Sequence, residues 1–266
     1  MKLPYYPTRL RSTQSTTLLT PARFRLHGIL IDNVKMSSAV DWVSQDRLNN
    51  TTRIGFFANA HTVTSSWDDN QLLQDLNFAD RVYADGIGVK IAAQNCGIDL
   101  VDNVNGTDLL PHLAHRLAQQ GKSLALLGSR PGVAQVAAQK LVAQFPGLRV
   151  VYAHHGYFEP EQSDKIIEDI NNSGANVLLV AQGSPLQERW LIANRNALQV
   201  DCALAVGGLL DFLSGRIPRA PRWVRSLHCE WIFRLIQEPS AKWRRYILGN
   251  ARFLYRTFAN GSRHHA

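Results

Sequence analysis

The chain has 266 residues, 45% of them apolar, which is enough for one α/β domain with an appendage or for two small domains. It has no apolar run near the roughly 20 residues that cross a bilayer, and its first twenty residues lack the apolar stretch of a secretory signal. Three widely spaced cysteines argue against a disulfide framework and a metal site, and they predict a reduced, cytosolic protein.

The formal net charge of +8 is distributed unevenly. From Arg216 onward there are eleven basic and two acidic residues, so this segment carries +9 and the rest of the chain −1. Such asymmetry predicts contact with a polyanionic surface, which could be a membrane, a nucleic acid or a phosphate-rich substrate. The composition predicts a flexible N-terminal arm over 1–25, an α/β catalytic domain over 26–214 and a basic appendage over 215–266.

Short apolar runs alternate with helix candidates along the body of the chain. The predicted strands, in chain order, cover 27–31, 54–60, 82–85, 123–127, 148–153, 176–181 and 202–206. The predicted helices include 37–42, where Ser37 or Ser38 could act as the cap, and 109–117, which residues 105–108 would cap. The others include 65–77, 91–92, 133–145 and 161–171. This order predicts a Rossmann-like α/β fold, with a mostly parallel sheet and helices on both faces.

The turns after parallel strands lie at one edge of a sheet, so their residues should converge there. The residues expected at this edge are Asn59, Asp85, Gly128, Gly183, Gly207 and Gly208. Glycines would let a ligand approach the backbone, and the helix N-termini that follow would offer N–H groups to a diphosphate. We therefore expect a nucleotide here, although glycine is also typical of any tight turn between a strand and a helix.

Asp85 is the first candidate for chemistry, because it ends a buried apolar run and would place one carboxylate in the crevice at the sheet edge. The competing interpretation is an ordinary Asp-Gly turn. Asp102 and Asp108 are alternative carboxylates, but both have the positions of turn or cap residues. The adjacent His154 and His155 are more typical of a polar loop than of a ligand site.

The absence of several sequence motifs argues against some classes of enzyme. No Gly-x-Gly-x-x-Gly follows the first strand and there is no Walker loop, which disfavours a dehydrogenase or a P-loop NTPase. Ser184 lacks the Gly-x-Ser-x-Gly elbow of a hydrolase. No strand ends in the Asp-x-Asp pair with which many sugar transferases hold a divalent metal. Cationic side chains or helix dipoles are therefore expected to neutralise a diphosphate.

The basic appendage interleaves arginines with aromatic residues at helical spacing. Trp223, Leu227 and Trp231 are predicted to share one helical face, and Trp243, Ile247, Leu254 and Phe258 another. Ordinary amphipathic helices packed on the body would show this pattern. Interfacial helices, whose arginines meet the phosphates of an anionic membrane, would show it too. A non-enzymatic nucleic-acid-binding protein is a third reading, mildly disfavoured because these aromatics do not form a strand platform.

From about Leu26 onward, a series of sequence blocks resembles the WecG/TagA/CpsF family of glycosyltransferases. The blocks lie at 84–88, 106–108, 155–158, 183–190, 206–208, 211–215, 219–223, 230–235 and 238–239. The resemblance implies an inverting, metal-independent enzyme of bacterial surface-polysaccharide synthesis that needs no cofactor. Its donor would be a UDP-sugar, with N-acetylmannosamine, its uronic acid, glucose or glucuronic acid as the sugar. Its acceptor would be a saccharide on a polyprenyl diphosphate at the cytoplasmic face of the membrane, and the family also implies self-association.

The resemblance also implies roles for individual residues. Asp85 matches the general base that takes the proton of the acceptor hydroxyl. Gln187 matches a polar residue of the catalytic site, and Asn59 matches an asparagine that lines the sugar pocket. The remaining implied contacts are Gly207, Gly208 and Asp211 for the uridine portion, and Arg234 and Arg244 for the diphosphate leaving group.

Overall fold

The computed structural model describes residues 22–47, 49–221, 224 and 230–261. Eight strands lie within these residues: β1 (Arg23–Leu26), β2 (Ile29–Asp32), β3 (Arg53–Ala58), β4 (Arg81–Ala84), β5 (Ser123–Gly128), β6 (Arg149–His154), β7 (Val177–Ala181) and β8 (Cys202–Ala205). They form one sheet in the order β1-β2-β4-β3-β8-β7-β5-β6. The β1–β2 pair is antiparallel and the other neighbouring pairs are parallel. The prediction of a mostly parallel sheet is confirmed.

Helices cover both faces of this sheet, as predicted. In the α/β body they are α1 (Met36–Ser44), α2 (Ala60–Ser66), α3 (Asn70–Phe78), α4 (Ile87–Asn95), α5 (Gly106–Gln120), α6 (Val133–Gln144), α7 (Ser163–Asn172), α8 (Leu186–Ala193) and α9 (Leu209–Ser214). One hydrophobic core lies beneath α2, α3, α4, α7 and α8, and the other beneath α1, α5, α6 and α9. Each face of the sheet is thus buried, which explains the nearly continuous apolar sequence of β5 and β7.

The connections of β3 and β8 create a crevice at the carboxyl edge of the sheet. The two strands are neighbours, but β3 leads into α2 on one face and β8 into α9 on the other. Where neighbouring strands of an open α/β sheet send their helices to opposite faces, the loops separate and leave a ligand-binding crevice. The turns at Asn59 and Gly207 therefore flank this crevice.

The start of the sheet differs from the sequence prediction. The sequence predicts no strand before residue 27 and places residues 1–25 in the flexible arm. In the structure, however, β1 pairs with β2 through a two-residue turn. His27 and Gly28 have φ values of 50° and 89°, the positive values that a type I′ hairpin turn requires. The sheet begins at Arg23, so the predicted boundary at residue 26 lies inside β1. The predicted serine cap of α1 is also wrong, because Asp102 Oδ2 accepts the N–H of Met36 at 2.8 Å instead.

The described C-terminal residues form α10 (Glu230–Gln237), α11 (Pro239–Trp243), a π-helical turn (Arg244–Gly249) and α12 (Asn250–Gly261). None of the helices in the described part of the chain has the length and apolar character of a membrane span. Trp223 and Leu227, which the sequence placed on one helical face, lie outside the described residues.

The last helix packs into the α/β body rather than standing apart from it. Phe253 is 1% exposed and belongs to the same core as α2 and α4. Its ring stacks on Trp67, with centroids 6.4 Å apart and planes 9° apart. A hydrogen bond between Thr257 Oγ1 and His27 Nε2, at 3.1 Å, joins the helix to the first hairpin. Although the sequence predicted an appendage from residue 215, α12 is integrated into the core.

Candidate active site

Asp85 lies half-buried at the carboxyl end of β4, beside the crevice. Its backbone N–H donates to the carbonyl of Ala58 at 2.9 Å, which extends the β3–β4 pairing to the site. On the side-chain side, Asn59 Nδ2 donates to Asp85 Oδ2 at 3.3 Å. A donor at this position stabilises the charged form of the carboxylate. The structure therefore brings together the two predicted residues from neighbouring strand ends.

The orientation of Asn59 follows from its second role as the N-cap of α2. Its Oδ1 accepts the backbone N–H groups of His61 at 3.0 Å and Thr62 at 3.1 Å. Because the oxygen faces these two donors, the amide nitrogen must face Asp85. The start of α2 and the position of the Asp85 carboxylate are therefore coupled through one side chain.

The backbone after Asp85 is held by a residue that the sequence did not single out for this role. Gly86 has φ of 89° and its N–H donates to Asn103 Oδ1 at 2.6 Å. A Cβ added at Gly86 would meet no atom within 4 Å, so this turn borders open space. The Asp-Gly turn is real, and the residue that follows the carboxylate faces open space.

Gln187, at the start of α8, is 5% exposed, and protein groups engage both ends of its amide. Its Oε1 accepts the N–H groups of Gly183 at 3.2 Å and Gly207 at 3.0 Å, while its Nε2 donates to Glu188 Oε1 at 2.9 Å. The side chain thus links the turns after β7 and β8. The expected offer of glycine N–H groups to a diphosphate does not hold for Gly183 and Gly207, because Gln187 already accepts both.

The predicted glycines differ in what surrounds them. A Cβ added at Gly183, Gly207 or Gly208 would meet no atom within 4 Å, so these three positions face open space. A Cβ on Gly128 would lie 2.5 Å from the carbonyl carbon and oxygen of Ala181. Close packing of β5 against the end of β7 therefore explains the glycine at 128. Because Gly128 does not face open space, its predicted role as a ligand contact has no support from the packing around it.

Asp211, in α9, connects the turn after β5 to the residues that follow the α/β body. Its Oδ1 accepts from Ser129 Oγ at 2.5 Å and from Arg216 Nε at 2.7 Å. Burial raises the pKa of Asp211, but the hydrogen bonds from Arg216 and Ser129 outweigh it and the net pKa is lowered. The carboxylate is therefore ionised at neutral pH, in the helix that follows β8, the strand next to β3 and the Asn59 turn.

The two predicted arginines lie in the C-terminal helices. Arg234 is in α10, and its side chain lies outside the described part of the structure. Arg244 is exposed and begins the π-helical turn, which contacts α2. Its guanidinium lies over the ring of Trp243, 5.5 Å from the centroid. Arg244 is thus carried by a segment that packs on the helix capped by Asn59.

The histidine pair lies away from Asp85. His154 ends β6 and His155 follows it, and β6 is five strands from β4, or roughly 24 Å at the usual spacing of strands. Their rings are 4.2 Å apart, and burial, followed by the neighbouring His154, lowers the pKa of His155. In the described residues no group of three or more histidine, cysteine, aspartate or glutamate side chains converges as a metal site would require.

Glu188 lies in the block at 183–190, but no role of its own was predicted for it from the sequence. It is 2% exposed, and burial raises the pKa of its carboxyl while the hydrogen bond from Gln187 opposes that rise. In the sequence it appears as one acidic residue in the first turn of a helix, where exposure is the usual outcome. Nothing in the sequence indicates that the preceding residue, Gln187, is buried either.

A family model described as glycosyl transferase WecG/TagA/CpsF matches residues 24–266, which is nearly the whole chain.

Proposed function

The chain belongs to the WecG/TagA/CpsF family of glycosyltransferases, and we propose that it moves a hexose-type sugar from a UDP-sugar to a saccharide on a polyprenyl diphosphate. The product would enter bacterial surface polysaccharide. The observation that carries this proposal is the Asp85 carboxylate at the sheet edge, held by Asn59, with the open turn at Gly207 and Gly208 two strands away along the same edge.

In the proposed reaction Asp85 acts as the general base. Its carboxylate takes the proton of the acceptor hydroxyl while that oxygen attacks the anomeric carbon of the donor sugar. The bond from the anomeric carbon to the diphosphate breaks on the opposite face, so the configuration inverts and UDP leaves with the bonding electrons. The hydrogen bond from Asn59 holds the carboxylate in position before the proton moves.

The nucleotide end of the donor is proposed to lie over the turn after β8. Gly207 and Gly208 leave room for a ligand against the backbone. Asp211 supplies an ionised carboxylate near the start of α9, and we assign its Oδ2 to a ribose hydroxyl because Oδ1 is shared by Ser129 and Arg216. The sugar would then extend along the sheet edge toward Asn59 and Asp85.

The leaving diphosphate needs positive charge from outside the glycine turns. The N–H groups of Gly183 and Gly207 are paired with Gln187, so they are not free to neutralise it. We propose that arginines of the C-terminal helices do so, with Arg234 and Arg244 as the candidates, and that no metal or other cofactor takes part. The excess of arginine after residue 215 supports this, because guanidinium binds phosphate oxygens in bidentate fashion.

The same C-terminal helices are proposed to hold the protein on the anionic cytoplasmic face of the membrane. Several of their large apolar side chains are exposed: Ile232, Ile236, Trp243, Ile247, Leu248, Tyr255 and Phe258. Apolar side chains can enter the headgroup boundary while arginines meet lipid phosphates, each basic residue contributing roughly 1 kcal/mol.

Co-sedimentation with anionic vesicles tests this attachment. Replacing Ile247 and Leu248 together by serine should leave most of the protein in the supernatant. The matched control is Val136→Ser on α6, which is also exposed but lies on the α/β body, and it should sediment like the wild type. Equal sedimentation of both variants would count against the C-terminal helices as the membrane contact.

The transfer itself is tested with a panel of UDP-sugars and a lipid-linked saccharide acceptor. We expect one sugar to be transferred with inversion, and UDP to raise the melting temperature because it binds only the folded state. Single-stranded RNA serves as the comparison ligand, and it should give no such shift. Absence of transfer from every UDP-sugar, together with stabilisation by RNA alone, would overturn the proposal in favour of nucleic-acid binding.

A further inference from the structure

The Gln187 amide makes its hydrogen bonds to protein groups, so it is not available to bind a substrate. An amide oxygen has two lone pairs, and those of Gln187 face the N–H groups of Gly183 and Gly207. The two turns follow the neighbouring strands β7 and β8. Gly183 is 4 residues and Gly207 is 20 residues from Gln187 in the chain. Gln187 therefore fixes the separation of the two turns through one atom.

Glu188 holds the other end of that amide. Its Oε1 accepts from Gln187 Nε2 at 2.9 Å, and its side chain lies between α8 and α3, where Asp75 is its charged neighbour. The second oxygen, Oε2, is buried and makes no hydrogen bond of good geometry in the described residues, with the Ser184 hydroxyl as the other polar neighbour of the carboxyl. A buried carboxyl with an unpaired oxygen destabilises the fold, and a leucine of similar size would not. Glu188 differs from leucine because its Oε1 accepts a hydrogen bond from Gln187 Nε2.

We propose that Glu188 is a positioning residue for donor binding: it orients the Gln187 amide, which holds the β7 and β8 turns at the spacing that the nucleotide end of the donor needs. This inference rests on the proposed transferase function. The hydrogen bond to Glu188 removes the rotation of the Gln187 side chain that would let Oε1 leave either N–H. Turns that are already in place when the donor arrives need no ordering on binding.

The first test needs no donor. In protein labelled with ¹⁵N-glycine, the amide protons of Gly183 and Gly207 should exchange slowly in the wild type and about fivefold or more faster in Glu188→Ala, because their shared acceptor is no longer held. Gly156, whose N–H donates to the carbonyl of Ser129 at 2.9 Å, is the internal control and should not change. Glu188→Gln keeps an acceptor for Gln187 Nε2 and should retain slow exchange.

The second test separates positioning from general stability. Glu188→Ala should raise the KM for the UDP-sugar about fivefold while kcat stays within about twofold, and Glu188→Gln should restore the wild-type KM. If the alanine variant does not fold, Glu188→Leu fills the same volume without an acceptor and takes its place. Unchanged exchange and unchanged KM in the alanine or leucine variant would overturn the inference, as would a glutamine variant that behaves like them. A wild type that transfers no sugar, with the exchange pattern as expected, would instead point to failure of the proposed function.

Discussion

Replacing Phe253 by alanine tests whether α12 is part of the α/β core. The ring is 1% exposed, stacks on Trp67 and contacts His27. It also lies close to the first turn of α4, where a Cβ added at Gly88 would be 3.6 Å from it. Truncation of a buried phenylalanine typically costs 3–5 kcal/mol, and the lost aromatic contacts favour the upper part of that range. We expect the free energy of unfolding to fall by about 4 kcal/mol, a large share of the 5–15 kcal/mol typical of a domain.

The assay is equilibrium unfolding in urea, with Phe258→Ala as the matched control on the same helix. Phe258 is 52% exposed, so its truncation should change the free energy of unfolding by less than about 0.5 kcal/mol. Both variants remove the same atoms from α12, and burial is the difference between them. If Phe253→Ala were as stable as Phe258→Ala, the packing of α12 into the core would be refuted.

A consequence concerns deletion of the chain from Gly215. Such a deletion removes Phe253 and Thr257 from contact with α2, α4 and the first hairpin, so it should destabilise the body as well as remove the basic residues. Loss of membrane binding in a deletion variant would therefore have two explanations. Point substitutions at exposed apolar residues separate the two explanations, because they leave Phe253 and Thr257 in place.

Two further predictions concern groups at the sheet edge. Gly128→Ala should cost about 2 kcal/mol or more, because the new Cβ would meet the Ala181 backbone at 2.5 Å, whereas Gly208→Ala should leave the urea midpoint unchanged yet weaken UDP binding measured by calorimetry. Burial raises the pKa of Glu188 above its ordinary 4.5, so the folded state keeps a proton that the unfolded chain releases. Stability of the wild type should therefore fall relative to Glu188→Gln, by up to about 1.4 kcal/mol per pH unit, as pH rises from about 4.5 through the folded pKa. Parallel unfolding curves of those two proteins across this range would contradict the burial of an ionisable Glu188.

The sequence was sufficient to predict that Asp85 and Asn59 lie at the same edge of the sheet. Each follows an apolar run, and parallel strands end at one edge. Their contact depends in addition on the pairing of β3 with β4, which the sequence did not predict. The alternation of strand, turn and helix likewise predicted helices on both faces.

Other features depend on contacts that no local pattern records. The first hairpin turns at His27, and nothing in the sequence indicates that this residue has a positive φ. For that reason β1 was not predicted. The role of Gln187 depends on Gly207, which is 20 residues away and reaches it through the order of β7 and β8. Aromatic residues at helical spacing fit a core or a membrane equally well. The structure buries Phe253 and exposes Phe258 on one helix, which the spacing alone could not decide.

The most direct test of the account is the rate of sugar transfer by Asp85→Asn, measured with the UDP-sugar and lipid-linked acceptor that the wild type uses. The amide is the same size as the carboxylate and can still accept from Asn59, but it cannot take a proton from the acceptor hydroxyl. We predict that kcat falls by at least about 100-fold, while the melting temperature and its rise with UDP match the wild type. Turnover close to that of the wild type, in a folded variant that binds UDP, would contradict the assignment of Asp85 as the base.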